Sequence, residues 1–118
     1  MAEDMIEMAT QRLAAAIRES EEYILYSSLR EAVMSDDTNR ALLKEYQKAQ
    51  TALQMTAMAG KQADEDAVQR FSQLSSLLYL NNEVAQYLLA QLRMQKLAGD
   101  VFGRLAAAAG LEFDLPGM

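Results

Sequence analysis

Two chemically versatile residue types are absent from this sequence, which contains no cysteine and no histidine. Without cysteine, disulfides, thiolate metal sites and thiol catalysis are excluded. Without histidine, the commonest general base and the commonest zinc ligand are missing together. We therefore predict that the protein is not an enzyme, and we assign it no catalytic residue, no metal ligand and no cofactor.

Turn-forming residues are also scarce, with one proline and five glycines among 118 residues. A fold rich in β-sheet needs many turn residues, so this economy favours long helices. About half of the residues are apolar, which is enough for a chain of this length to build a core. We predict an all-α protein with a single helical domain over residues 1–118.

Positive charge is in short supply, because the net charge is −6. Phosphate binding requires clustered cations, so a nucleic acid is not favoured as a direct ligand. The first residues are acidic where a signal peptide would be basic, and no apolar run is long enough for a membrane span. We expect a cytoplasmic protein.

Apolar residues recur at steps of three and four, which predicts five helices at about residues 3–19, 20–35, 36–60, 64–81 and 83–109. Side chains that cap helix starts occur at Ser20, within residues 35–38, at Asp64 and at one of the two asparagines 81 and 82. Gly60 and Gly110 suit the position after a helix end. Pro116 prevents a helix in the tail, so residues 110–118 are predicted to be non-helical.

The same spacing predicts which side chains face inward. In the third helix these are Leu42, Tyr46, Ala49, Leu53 and Thr56 or Ala57, and in the fourth they are Val68, Phe71, Leu74, Ser75 and Leu78. In the fifth they are Val84, Leu88, Leu92, Gln95, Ala98, Phe102, Leu105 and Ala109. At about 1.5 Å per residue the third and fifth helices reach about 33 and 40 Å, long for a compact chain of this size. We predict an elongated bundle that is completed by dimerisation.

Each feature that suggests chemistry also has a structural interpretation. The acidic runs 64–66 and 19–22 could bind a divalent cation, but consecutive acids on a helix point in different directions, so we interpret them as helix-start charges.

Gly99 and Gly103 lie four residues apart and indicate either close approach of another helix or a bend. The methionines and tyrosines fit a core or a contact surface. The tail residues Leu111 and Phe113 could pack on their own bundle or on a partner, and both remain open.

From these features we predict a candidate interaction surface. Its members are apolar or small residues on the two long helices and in the tail: Leu42, Tyr46, Leu53, Met55, Met58, Tyr87, Gly99, Phe102, Gly103, Leu111 and Phe113.

The order of several short motifs resembles that of the YlbF/YmcA family of bacterial regulators over nearly the full length. The motifs are Leu13…Ile17-x-x-Ser20-x-x-Tyr23, the break at Asp36, Leu42-Leu43-x-x-Tyr46-Gln47, Gly60, Asp64-Glu65-Asp66, Asn81-Asn82-x-Val84-x-x-Tyr87-Leu88 and Ala109-Gly110-Leu111-x-Phe113. The resemblance implies an all-α, oligomeric, non-enzymatic protein involved in competence, sporulation and biofilm formation. It also implies a link to a complex that adjusts messenger-RNA processing by a membrane-associated endoribonuclease.

Some members of that complex hold iron–sulfur clusters through cysteines. This chain has no cysteine, so that cofactor is not carried over. Our leading hypothesis is a regulatory adaptor, a homo-oligomer that binds a heterologous protein partner. The alternatives are a direct RNA-binding regulator, for which Arg93, Lys96 and Arg104 are the available cations, and a purely structural helical oligomer.

Overall fold

The computed structural model describes residues 1–111, and in that range the chain forms five α-helices and no strand. The helices are α1 (Ala2–Arg18), α2 (Glu21–Met34), α3 (Asp37–Met58), α4 (Glu65–Leu80) and α5 (Asn82–Ala109). The predicted all-α class is confirmed, and the predicted helices agree closely with the observed ones. None of the helices in the described part is both long and apolar enough to span a membrane.

Three helix starts are fixed by the side chains that the sequence indicated. Ser20 Oγ accepts a hydrogen bond from the Tyr23 amide at 3.2 Å, and Asp36 Oδ1 accepts one from the Asn39 amide at 2.9 Å. Asn81 Oδ1 accepts from the Val84 amide at 3.1 Å. Each bond satisfies an amide that has no partner within its own helix. Asp64 precedes α4 without such a side-chain bond.

Two helix ends are fixed by glycine. Gly60 follows α3 with φ +74°, and Gly110 follows α5 with φ +72°. After α3, the Gly60 amide donates to the Ala57 carbonyl at 3.0 Å and the Lys61 amide donates to the Thr56 carbonyl at 3.1 Å. This pair of bonds is the Schellman arrangement, and its left-handed residue is nearly always glycine. Both predicted positions are confirmed.

The contacts divide the chain into two compact units. The first contains Met1–Ser28 and the chain from Leu89 onward, and the second contains Leu29–Leu88. The prediction of one helical domain over residues 1–118 stays a prediction, as does completion of the bundle by a second subunit. Of the predicted non-helical tail 110–118, residues 112–118 lie outside the described residues.

The unit Leu29–Leu88 is built on packing between α3 and α4. Its fully buried side chains are Val33, Leu43, Leu78 and Val84. The Tyr46 and Phe71 rings stack with their centroids 5.2 Å apart, and Glu45 lies 3.6 Å from Arg70 in a mostly exposed ion pair. Of these four, Leu78 and Val84 are among the residues predicted to face inward. Leu43 is not, because it lies beside the predicted seam, in which Leu42 and the residues up to Thr56 are half-buried and Ala57 is exposed.

The first unit uses its apolar residues differently from the prediction. In α5 the half-buried residues include Met94, Leu97 and Val101, whereas the predicted inward residues Leu92, Gln95, Ala98, Phe102, Leu105 and Ala109 are all exposed. The predicted stripe was therefore wrong from Leu92 to the end of α5. Two apolar stripes overlap along this helix, and periodicity alone does not say which one packs inside.

Candidate interaction surface

The acidic runs lie where helix-start charges are favoured. Glu65 and Asp66 occupy the first turn of α4, and Glu21 and Glu22 occupy the first turn of α2. These positions are close to the positive end of the helix dipole, which stabilises carboxylates. Among residues 1–111 no three acidic side chains come together in a geometry that would hold a metal ion.

The α3 members of the predicted surface fall into two groups. Leu42 and Leu53 are half-buried, and Tyr46 stacks on Phe71 within the unit Leu29–Leu88. Met55 and Met58 are 65% and 88% exposed near the end of the helix. Among the α3 members of the predicted surface, these two methionines are the ones whose side chains are mostly accessible to another molecule.

Tyr87 is 3% exposed and belongs to the core of the unit Leu29–Leu88. A side chain with so little accessible area cannot be a docking contact unless the unit opens. The sequence interpretation was misled by the general enrichment of tyrosine at interfaces. Val84, three residues earlier on the same face, is completely buried, so this face of α5 is internal.

The remaining α5 members of the predicted surface and the tail residue Leu111 are exposed or half-buried, unlike Tyr87. Phe102 is 48% exposed and Leu111 is 45% exposed, while Gly99 and Gly103 are half-buried. Phe113 lies outside the described residues. Phe102 thus remains the central large apolar side chain of the predicted surface on α5.

Phe102 is part of a longer exposed stripe that the sequence interpretation assigned to the core. We call it the α5 surface and define it by Gln95, Ala98, Phe102, Leu105 and Ala109, all of which are exposed. Its members alternate three and four residues apart, the spacing of a coiled-coil seam. Leu105 is 54% exposed, so the two largest side chains of the stripe both face solvent.

A second apolar area was missed altogether. Leu77 and Leu80 on α4 are 56% and 84% exposed, and with Ser72 and Ser76 they line an open depression. The sequence prediction concentrated on the inward residues of α4 and gave no role to its outer face.

The candidate cations for RNA binding share their surroundings with acids. Arg93 lines an open depression with Glu21 and Glu22. Lys96 and Arg104 are both exposed, with Asp100 exposed between them at i+4 from Lys96 and i−4 from Arg104. The cations therefore do not form a patch of one sign.

The pKa of the Tyr46 phenol is raised above its ordinary value of 10.0, first by burial and then by the nearby Tyr79 phenol. A raised folded-state pKa means that folding favours the neutral phenol. This contribution to stability is complete below the unfolded pKa and is lost as pH rises through the folded pKa. We expect the free energy of unfolding to fall more steeply above pH 10 in the wild type than in Tyr46→Phe, as measured by urea denaturation on either side of that pH.

The Tyr79→Phe variant is the control for this pH dependence. It leaves Tyr46 half-buried and removes only the smaller cause, so most of the wild-type slope should remain. Equal slopes in the wild type and Tyr46→Phe would contradict the assignment.

Comparison with known proteins identifies the family to which these sequence and structural features correspond. The family model described as "Control of competence regulator ComK, YlbF/YmcA" matches residues 6–108, a range that includes residues of all five helices. A UPF0342 protein of Halothermothrix orenii is 30% identical over 90 residues, which cover 76% of each chain. A UPF0342 protein of Symbiobacterium thermophilum is 27% identical over 104 residues, covering 88% of this chain and 91% of the relative.

Among solved structures, a "Protein of Unknown Function (DUF964) from Bacillus stearothermophilus" superposes with a TM-score of 0.74. It is 19% identical in sequence, and the match covers 89% of this chain and 92% of that one. At this identity the likeness concerns the fold, and it supports the helical arrangement described above.

Proposed function

Since the chain belongs to the YlbF/YmcA family, described as control of the competence regulator ComK, we propose that it is a non-catalytic regulatory adaptor that binds a protein partner. The family supports a regulatory role. The single observation that supports action through protein contact is the exposed α5 surface. We place this activity in the cytoplasm and, following the resemblance, in the control of messenger-RNA processing.

The α5 surface has the form that a partner helix recognises. Large apolar residues on a helix are normally packed inward, yet Phe102 and Leu105 are each about half exposed. With Ala109 they occupy positions i, i+3 and i+7 of the stripe, the pattern by which helices dock into grooves or pair with one another. Covering both side chains would remove apolar area from water and favour binding.

The adaptor is tested by comparing partner capture with two matched variants. Phe102→Gln with Leu105→Gln removes the large side chains of the α5 surface, and glutamine keeps helix propensity high. Met55→Gln with Met58→Gln makes an equivalent change at the other exposed part of the predicted surface. Proteins captured from the source bacterium by each tagged form are then quantified by mass spectrometry.

We expect the wild type and the α3 variant to retain the same partner and the α5 variant to lose it. With the purified partner, loss of two central anchors should weaken binding by at least about thirtyfold, since even one hot-spot residue contributes about 2 kcal/mol. Circular dichroism verifies that all three forms are equally helical. If the α5 variant binds like the wild type, the surface is assigned wrongly, and if no form captures a reproducible partner, the adaptor proposal fails.

A further inference from the structure

An open depression between the start of α2 and the first half of α5 brings charges of opposite sign together. It is lined by Glu21, Glu22 and Leu25 from α2 and by Ala90 and Arg93 from α5. All five residues belong to the same compact unit of the chain. The volume of the depression is about 300 Å³, at the lower end of the range for small-molecule sites, which is about 300–1,000 Å³.

Helix geometry accounts for the two walls of this depression. Leu25 follows Glu21 by four residues and Glu22 by three, so these side chains are neighbours on the surface of α2. Ala90 and Arg93 are three residues apart and are neighbours on α5. Ala90 is 2% exposed and Leu25 is 45% exposed, so a nearly buried methyl group and a partly accessible apolar side chain both contribute. The depression therefore has an acidic wall, a basic wall and an apolar part.

The charges around the depression are not paired with one another. None of the ion pairs formed among residues 1–111 involves Glu21, Glu22 or Arg93. Between α3 and α4, by contrast, Glu45 and Arg70 come within 3.6 Å. The dipole of α2 explains why acids occur in its first turn, but it does not explain an arginine that reaches the same place from another helix. Both signs of charge are therefore available to a bound molecule.

This mixture of charges determines which class of molecule fits. A guanidinium binds a carboxylate through two parallel hydrogen bonds, and carboxylates accept hydrogen bonds from an ammonium group. A phosphate would be repelled by the two acids, and a metal ion would be repelled by Arg93. Among residues 1–111 no third acidic side chain joins Glu21 and Glu22 in a geometry that would hold a metal ion. A molecule that carries both charges close together, beside an apolar group, complements all parts of the depression.

We propose that the depression binds a small zwitterion of the α-amino-acid type with an apolar side chain. Arg93 binds the carboxylate of this ligand, Glu21 and Glu22 bind its ammonium group, and the apolar part of the depression contacts its side chain. The site goes beyond the adaptor function and does not depend on it. Arg93 precedes Phe102 by nine residues, or about two and a half turns, so it lies on the face of α5 opposite the α5 surface.

Binding is expected to be weak, because charges that remain accessible to water contribute little individually. We expect at least one of L-alanine, L-valine and L-leucine to bind with a dissociation constant of about 1–10 mM. Titration of the full chain followed by nuclear magnetic resonance measures this constant, and the backbone amides of the lining residues should shift. No saturable shift with any of the three up to about 50 mM, or shifts confined to other residues, overturns the proposal.

Two derivatives of the amino acid that binds test its two charges separately. N-acetylation removes the ammonium charge, and conversion of the carboxylate to its amide removes the negative charge, while the side chain stays the same. Each derivative should bind about threefold more weakly, or worse, than the free amino acid at the same pH and ionic strength. A depression that binds the amide equally well is a simple cation site, and one that binds the acetylated form equally well is a simple anion site. Either result overturns the proposal.

Matched variants assign each charge of the ligand to its residue. Arg93→Gln should weaken binding of the amino acid about threefold or more, and it should abolish the preference for the amino acid over its amide. Glu21→Gln with Glu22→Gln should abolish the preference for the amino acid over its acetylated form. Lys96→Gln removes an exposed cation of α5 that is not among the lining residues, and it should change neither the affinity nor the preferences.

Circular dichroism verifies that these variants are as helical as the wild type, which is expected because every substituted residue is exposed. If Arg93→Gln keeps the wild-type preference for the amino acid over its amide, Arg93 does not bind the carboxylate and the proposal fails. It also fails if Lys96→Gln weakens binding as much as Arg93→Gln does, because the effect then reflects net charge alone.

Discussion

Replacing Leu78 by alanine is expected to lower the free energy of unfolding by about 2–5 kcal/mol. Leu78 is 1% exposed in the core formed around α3 and α4. Truncation removes buried methyl groups and leaves a cavity that the surrounding core can fill only in part. Urea denaturation followed by circular dichroism measures the change.

The matched control lies two residues away on the same helix. Leu80 is 84% exposed, so Leu80→Ala makes the same chemical change without creating a cavity. Surface substitutions of this kind usually change stability by less than about 0.5 kcal/mol. Measurements at low protein concentration keep any self-association out of the comparison. A similar loss in both variants would contradict the described core.

Replacing Asn81 by alanine is expected to cost about 2–4 kcal/mol, because Asn81 makes two different contacts. Its Oδ1 accepts the Val84 amide at the start of α5, and its Nδ2 donates to Asn39 Oδ1. Asn39 is 8% exposed, and its backbone amide donates a hydrogen bond to Asp36 Oδ1 at the start of α3. Loss of Asn81 removes a cap and leaves a buried amide oxygen without its donor.

Two further asparagine variants separate these contributions. Asn81→Asp keeps the acceptor for Val84 but loses the donor to Asn39, so its cost should be intermediate. Asn82→Ala changes the exposed neighbouring residue and should have little effect. A double-mutant cycle between Asn39→Ala and Asn81→Ala should give a coupling of about 1 kcal/mol or more. Strict additivity would show that the side-chain hydrogen bond contributes nothing.

Much of the fold was predictable because helices are specified locally. A cap such as Asp36 acts on an amide three residues away, and Gly60 ends α3 through the conformation of a single residue. Apolar spacing likewise repeats within one or two turns. The five helices, most of their ends and the resemblance to a regulatory family therefore followed from the sequence.

The candidate surface was predicted less well because exposure depends on contacts between distant segments. Tyr87 and Phe102 have similar chemistry and lie on the same helix, yet one is 3% and the other 48% exposed. Nothing within a turn of either residue decides that difference. Their accessibility depends on which of the other helices packs beside them.

The sequence alone determined the helical class, the positions of the helix caps and the glycines that end helices. It also determined that no cysteine or histidine chemistry is available. Each of these features depends on composition or on residues within a few positions. Tertiary structure decided the rest. It selected the stripe of Met94, Leu97 and Val101 over the stripe of Phe102 and Leu105, and it joined Asn39 to Asn81 across 42 residues. Both choices depend on packing between helices, which a repeating apolar pattern permits in more than one way.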